Sequence, residues 1–327
     1  MNYEEFKSAI VKMADQAVSA PKKVLIHPVI KNNGVKLDGL VIMEGNTNVA
    51  PSIYLNSFYE QYQKGVPLDQ IFSKILEVYH AFRADEAIDT EIFDSYESVR
   101  AMVVYRLINY DRNRELLSEV PYIRFLDLAI VFYLLFCPEN EAHGGTILIR
   151  NEHIEEWGIT GEDLFADAAR NSCRQLPAQL TSLQNMMERV RAELKRESQL
   201  ETFDDGETDG TDSPDEGFSE AEDAWKEFLG GNSPLPMFVL TNEMNSYGAA
   251  CVLYKDLLRE YAEMMSCDFY VLPSSIHEVI LVPAMENTRL PELSDMVRRV
   301  NESTLMPEEI LADHAYYYSR KDNRIIA

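Results

Sequence analysis

A chain of 327 residues, 46% of them hydrophobic, is long enough for one large domain or two and can bury a sizeable core. Its formal net charge of −25 repels duplex nucleic acid and polyphosphates unless a local basic face compensates, which disfavours generic nucleic-acid binding. Twelve acids and no Lys or Arg fall between Glu197 and Asp223, nearly half of that excess, so the remainder is only moderately acidic.

In chain order, Phe6, Ile10, Met13, Ala14 and Val18 fall at helical spacing and predict a helix over residues 2–18. Lys22 to Met43 reads as a hairpin, because Asn33-Gly34 supplies the positive-φ residues of a tight turn. Leu55–Lys64 is a short helix. Pro67 opens the next, with Leu68, Ile71, Phe72, Ile75, Leu76, Tyr79 and Phe82 on one apolar stripe. Ser95–Val120 is expected to be helical, with Val99, Met102, Val103, Leu107 and Tyr110 inward and Pro121 as its stop. The near-continuous apolar run Phe125–Phe136 and its partner Thr146–Ile149 are expected as central strands of a sheet covered on both faces.

Thr160 is placed to cap a helix over Gly161–Arg170, and Leu180–Glu197 reads as a polar helix. Asp204–Gly217 lacks the apolar residues to offset chain entropy and is expected to be disordered. Ala221–Leu229 reads as a short helix. Met237–Leu240 is expected as a strand, Asn242–Tyr247 as a polar turn and Ala249–Met265 as a helix. Phe269–Leu272 and Val279–Val282 then form a tight hairpin in a core sheet. Helices over Pro291–Asn301 and Pro307–His314 and a last hairpin, Ala315–Tyr318 with Ile325–Ile326, close the chain. The fold class is α+β, mixed helices and antiparallel hairpins. Its regions are an N-terminal hairpin-and-helix region (1–120), a middle α+β region (121–198), an acidic insert (199–222) and a C-terminal α+β module (223–327).

Cys137, Cys173, Cys251 and Cys267 are widely spaced and form no CxxC, which fits free thiols in a reducing cytosol. The charged, amphipathic N-terminus lacks a signal-peptide core, and the apolar run Leu128–Cys137 is too short to span a bilayer. A cytoplasmic protein without membrane contact is expected.

Four constellations could carry chemistry. The tip of the core hairpin presents Ser274, Ser275, His277 and Glu278, with Asn242 and Tyr247 at a strand-to-helix junction in the same module. These are the residue types of a nucleophile, a base and an orienting group, although no GxSxG elbow surrounds either serine. Alternatively the tip is a serine-rich turn with a structural histidine. Arg106, Arg112 and Arg114, with Asn109 and Asn113, form the most cationic stretch and could hold an anion or an acidic partner; pairing with the chain's own carboxylates is the competing reading. Asp205, Glu207, Asp209 and Glu216 match part of a calcium loop, but Glu207 and Asp212 depart from its pattern and Pro214 interrupts its exit. The six histidines show no ligand spacing, so no metal and no cofactor is expected.

The string YRLINYDRNRELLSEVPYIRFLDLAIVFY at residues 105–133 resembles a bacterial family classified only as a domain of unknown function. The same resemblance runs through PSIYLNSFYEQY, NEHIEEWGIT, GAACVLY and PSSIHEVILVP, and covers nearly all of the chain outside the acidic insert. The Trp157-Gly158 turn, the Leu164–Asn171 helix and the C-terminal hairpin are similar, more distantly, to a second uncharacterised bacterial family. The resemblance implies a cytosolic bacterial protein of one architecture and brings no activity with it. The expected function is non-enzymatic: an interaction or regulatory protein whose partner is another protein. A hydrolase or transferase centred on Asn242, Ser275 and His277, and an acidic DNA mimic, are the alternatives.

Overall fold

The computed structural model describes residues 1–18, 22–45, 48, 50–83, 90–136, 145–183, 185, 237–273, 275–285 and 289–327. The acidic insert 199–222, the calcium-loop residues Asp205, Glu207, Asp209 and Glu216, the predicted helix Ala221–Leu229 and Ser274 lie outside the described residues. The fold is α+β, and the chain separates into two units, one centred on Met1–Ser98, the other formed by Val99–Phe136 with Thr146–Ala327.

In the first unit α1 (Tyr3–Ala17) is capped by Asn2, whose side chain accepts from the Glu5 amide while the Glu5 carboxylate accepts from the Asn2 amide. β1 (Lys22–Ile30) and β2 (Lys36–Glu44) pair antiparallel, and β3 (Ser52–Tyr54) adds to β2. Asn33 and Gly34 take φ of 59° and 71° in the connecting turn, as their residue types dictate. α2 (Leu55–Gln63) and α3 (Leu68–Phe82) join α1 on a core of Phe6, Ile10, Leu40, Ile42, Ile71, Ile75 and Tyr79. The α3 stripe ends there, since Phe82 is exposed.

Between the units runs a single turn, α4 (Tyr96–Val99). The second unit then departs from the predicted helix over Ser95–Val120. A 3₁₀ turn (Arg100–Met102) leads into β4 (Val103–Asn109), another (Asp111–Asn113) into the one-turn α5 (Arg114–Leu117). Every residue of β4 is buried, so apolar side chains are wanted on both faces, and such a run can mimic helical spacing. β4 and β5 (Tyr122–Phe125) flank β6 (Leu128–Phe136), and β7 (Gly145–Leu148) also pairs with β6. β6 therefore takes the central position expected of it, whereas its partner β7, expected beside it in a sheet covered on both faces, is largely exposed. After α6 (Asn151–Trp157), Thr160 caps α7 (Gly161–Gln175), whose Ser172 hydroxyl accepts from the Tyr105 amide of β4.

The second sheet of this unit has the order β13-β12-β10-β11-β9-β8, with every pair antiparallel. β8 (Ala178–Ser182) occupies the start of the predicted polar helix Leu180–Glu197; pairing with β9 (Phe238–Asn242), distant in sequence, overrides the local pattern. The predicted helix Ala249–Met265 is two pieces. Gly248–Leu253 is 3₁₀, Asp256 turns the chain at φ 64°, and α8 (Leu257–Met265) follows. β10 (Phe269–Leu272) and β11 (Val279–Pro283) pair as expected, but their pairing ends at Leu272 opposite Ile280, and six residues separate the two strands in place of a tight turn. α9 (Leu290–Thr304) covers one sheet face through Leu293, Met296, Val297 and Val300. Residues 307–314 form turns, not a helix, and β12 (Tyr316–Ser319) pairs with β13 (Arg324–Ile326).

Candidate functional site

The pairing of β4 with β6 places one charge inside the second unit. Arg106 lies opposite Val131, and Tyr133 lies opposite Val104, so Arg106 and Tyr133 are diagonal neighbours on one face of the sheet. Arg106 is only 8% exposed. Its guanidinium carbon sits 4.0 Å from the centre of the Tyr133 ring and 3.5 Å from that of Tyr247. The two rings make no ring contact with each other, so they cover opposite faces of the planar cation. Burial lowers the guanidinium's proton affinity, and the two tyrosine hydroxyls, that of Tyr133 through a hydrogen bond from the guanidinium, partly offset this. Among the described residues no carboxylate lies within ion-pairing distance of Arg106. A buried guanidinium without one is unusual, because burying a charge unpaired costs several kcal/mol (order of magnitude).

The second half of the site is a corner between β9 and β11. Asn242, fully buried at the end of β9, closes the turn: its Oδ1 accepts from the amides of Met244 (3.1 Å) and Ser246 (3.3 Å), and its Nδ2 donates to the Ser246 carbonyl (2.8 Å). This holds Tyr247 at φ 54°, a left-handed conformation that a bulky residue seldom adopts. Gly248 follows because nothing larger fits. A Cβ there would lie 2.6 Å from the Asn242 nitrogen and 2.7 Å from the His277 carbonyl oxygen.

His277 is tied down on every backbone group that faces this corner. Its amide donates to the Ser275 hydroxyl (2.9 Å), and its carbonyl accepts from the Thr241 hydroxyl (2.8 Å). Nδ1 of the ring accepts from the Tyr247 amide (3.1 Å), and the imidazole lies 5.2 Å from the Tyr247 ring. Nδ1 is therefore the unprotonated nitrogen, and the proton of the neutral ring is on Nε2. Nε2 lies 3.9 Å from Glu309 Oε1, beyond hydrogen-bond range. Burial pulls the His277 pKa below the usual 6.5; Glu309 opposes this and Arg106 adds to it. Burial raises the Glu278 carboxyl, against the Ser275 hydroxyl and together with the charge of Glu309.

Asn242, Tyr247, Ser275, His277 and Glu278 thus converge on one corner. Ser275 and His277 do not form a nucleophile–base pair there, since the hydroxyl serves the His277 amide and the ring serves Tyr247. The three arginines separate. Arg112 binds Asp313 at 2.5 Å and Arg114 binds Asp111 at 2.6 Å, while Arg106 turns inward between Tyr133 and Tyr247. Asn109 and Asn113 are structural: Asn109 donates to the Leu311 carbonyl and accepts from the Arg112 amide, and Asn113 donates to the Asn109 carbonyl. Tyr133, Thr241, Gly248 and Glu309 were not singled out from the sequence. An arginine inside the apolar run VVYRLIN was the available signal, and it is hidden when the run is taken for a helix. Among the described residues no three His, Cys, Asp or Glu side chains converge as a metal cage, and no helix is long and apolar enough to cross a membrane.

A family of unknown function (DUF5688) matches residues 3–320. The chain belongs to this family. No curated protein and no solved structure matches it.

Proposed function

We propose that this family member is a non-enzymatic binding protein, of regulatory or interaction type, whose second unit receives an oxyanion presented by another protein. One observation carries the reading: Arg106 is buried between two tyrosine rings, and among the described residues no carboxylate neutralises it. The rings close both faces of the guanidinium, and beyond its hydrogen bond to the Tyr133 hydroxyl the edge is the side that offers N–H donors to an oxyanion. The neighbouring imidazole is a donor too. His277 offers Nε2–H, and its one lone pair is engaged by the Tyr247 amide. A general base needs a free lone pair within reach of the proton it takes, so the hydrolase or transferase alternative at Asn242, Ser275 and His277 has less support. The strained backbone of Tyr247, maintained by Asn242 and Gly248, holds one ring of the stack in place and fits a site selected for function over stability.

Isothermal titration of the full chain with acetate, inorganic phosphate and sulfate tests this. Saturable binding of at least one oxyanion, lost in Arg106→Met, supports the reading. Absence of binding by all three sinks it.

A further inference from the structure

The two rings around Arg106 bear on which oxyanion it takes. We propose that the Arg106 site selects a carboxylate over a phosphate, the ligand being a peptide C-terminus, an acidic side chain or a small carboxylic acid. This inference rests on the oxyanion-receptor reading above.

Shape gives the first argument. With ring centres 4.0 Å and 3.5 Å from the guanidinium carbon, both faces are filled at van der Waals thickness. A bound group must approach in the guanidinium plane. A carboxylate is planar and continues that plane through two parallel N–H···O bonds. A phosphate that makes the same two bonds directs its remaining oxygens above and below the plane, toward the edges of Tyr133 and Tyr247.

Charge gives the second. Arg106 is one buried cation, and a single negative charge balances it. Glu309 lies 3.9 Å from His277 Nε2, and His277 in turn packs against the Tyr247 ring, so this carboxylate acts on an incoming anion only at longer range. His277 is kept neutral by its burial and so adds a donor without adding a charge. A phosphate near its dianionic form brings a second charge that the one guanidinium leaves unbalanced, and an unbalanced charge is costly where water is excluded. The chain's overall charge of −25 acts in the same sense at longer range.

The test is a competition of probes on the full chain at neutral pH and constant ionic strength. Acetate, an acetylated dipeptide with a free C-terminus, the same dipeptide as its C-terminal amide, and inorganic phosphate are titrated by calorimetry. The expected result is binding of the carboxylates about tenfold tighter than phosphate, with the amide inert. A free dipeptide acid that binds more tightly than acetate assigns the site to chain ends. Equal affinities of the two assign it to carboxylates in general, and both outcomes support the inference. Phosphate binding as tight as acetate, or tighter, overturns the selectivity and leaves the receptor standing; absence of any binding removes the receptor itself. Glu309→Gln supplies an independent check because it leaves Arg106 and both rings in place. It is expected to strengthen phosphate binding more than acetate binding, and an equal effect on both contradicts the charge argument.

Discussion

Replacing Arg106 by Met tests whether this residue is kept for the fold or for a ligand. The two ring contacts, at 4.0 Å and 3.5 Å, are each worth about 2 kcal/mol when desolvated, so together they stabilise the folded chain by about 4 kcal/mol. Against them stands the cost of removing a guanidinium from water with no carboxylate of the described residues in range, several kcal/mol for one ion even after relaxation. Met has similar length, needs no hydrogen bonds and keeps the apolar contact with both rings. The terms therefore cancel or favour Met, and Arg106→Met is expected to be as stable as the native chain or up to about 2 kcal/mol more stable. For a unit of this size, that is an upward shift in the unfolding midpoint of at most about 4–8 °C. Thermal unfolding followed by circular dichroism reads the change directly. A midpoint lowered by more than about 3 °C, roughly 1 kcal/mol, would show that the stack holds the fold together and refute the view that Arg106 costs stability in exchange for binding.

Gly248→Ala forces a methyl group against the Asn242 nitrogen and the His277 carbonyl, backbone atoms that cannot yield; a loss of about 3 kcal/mol is expected in chemical denaturation, and an unchanged midpoint would mean the corner is looser than its geometry. Asn242→Ala removes both acceptor bonds and the donor bond that close the turn before Tyr247, with an expected loss of about 2 kcal/mol and weaker anion binding, checked by the same denaturation and by titration with acetate. Because the folded His277 pKa lies below the unfolded 6.5, the unfolded chain binds more protons just below that pH, so this residue's contribution is present above 6.5 and lost as pH falls toward the folded value. Glu278 has the opposite sign: its folded pKa is raised above 4.5, so its contribution is present below 4.5 and lost as pH rises through the folded value. Stability profiles of His277→Gln and Glu278→Gln should each flatten the corresponding slope, and parallel profiles for variants and native chain would disprove the assignment.

The elements that the sequence made legible are those whose pattern is local. α1, α3 and α7 show one apolar stripe and a recognisable first turn, and the β1–β2 hairpin has Asn33-Gly34 at its turn. The elements that were misread depend on distant partners. β4 is buried on both faces, and its apolar residues then satisfy a helical spacing by accident. β8 is a polar edge strand that exists through pairing with β9. The break at Tyr254–Asp256 depends on Asp256 turning at positive φ, which its residue type permits but does not announce. The candidate site divides in the same way. Asn242, Tyr247, Ser275, His277 and Glu278 were legible because polar residues gather between apolar runs. The setting of Arg106 was not, because it requires knowing that β4 is a strand, that Tyr133 is its diagonal neighbour, and that Arg112 and Arg114 have carboxylates while Arg106 has none among the described residues.

If Arg106 receives an oxyanion, the ligand must change the surroundings of its guanidinium. Heteronuclear NMR of the arginine side chains in the full chain, titrated with sodium acetate, reads that change, with the Arg106 signal assigned by its absence in Arg106→Met. The Arg106 signal is expected to move and saturate, while those of Arg112 and Arg114, already paired with Asp313 and Asp111, move little. An Arg106 signal that stays fixed throughout the titration would contradict oxyanion binding at this residue.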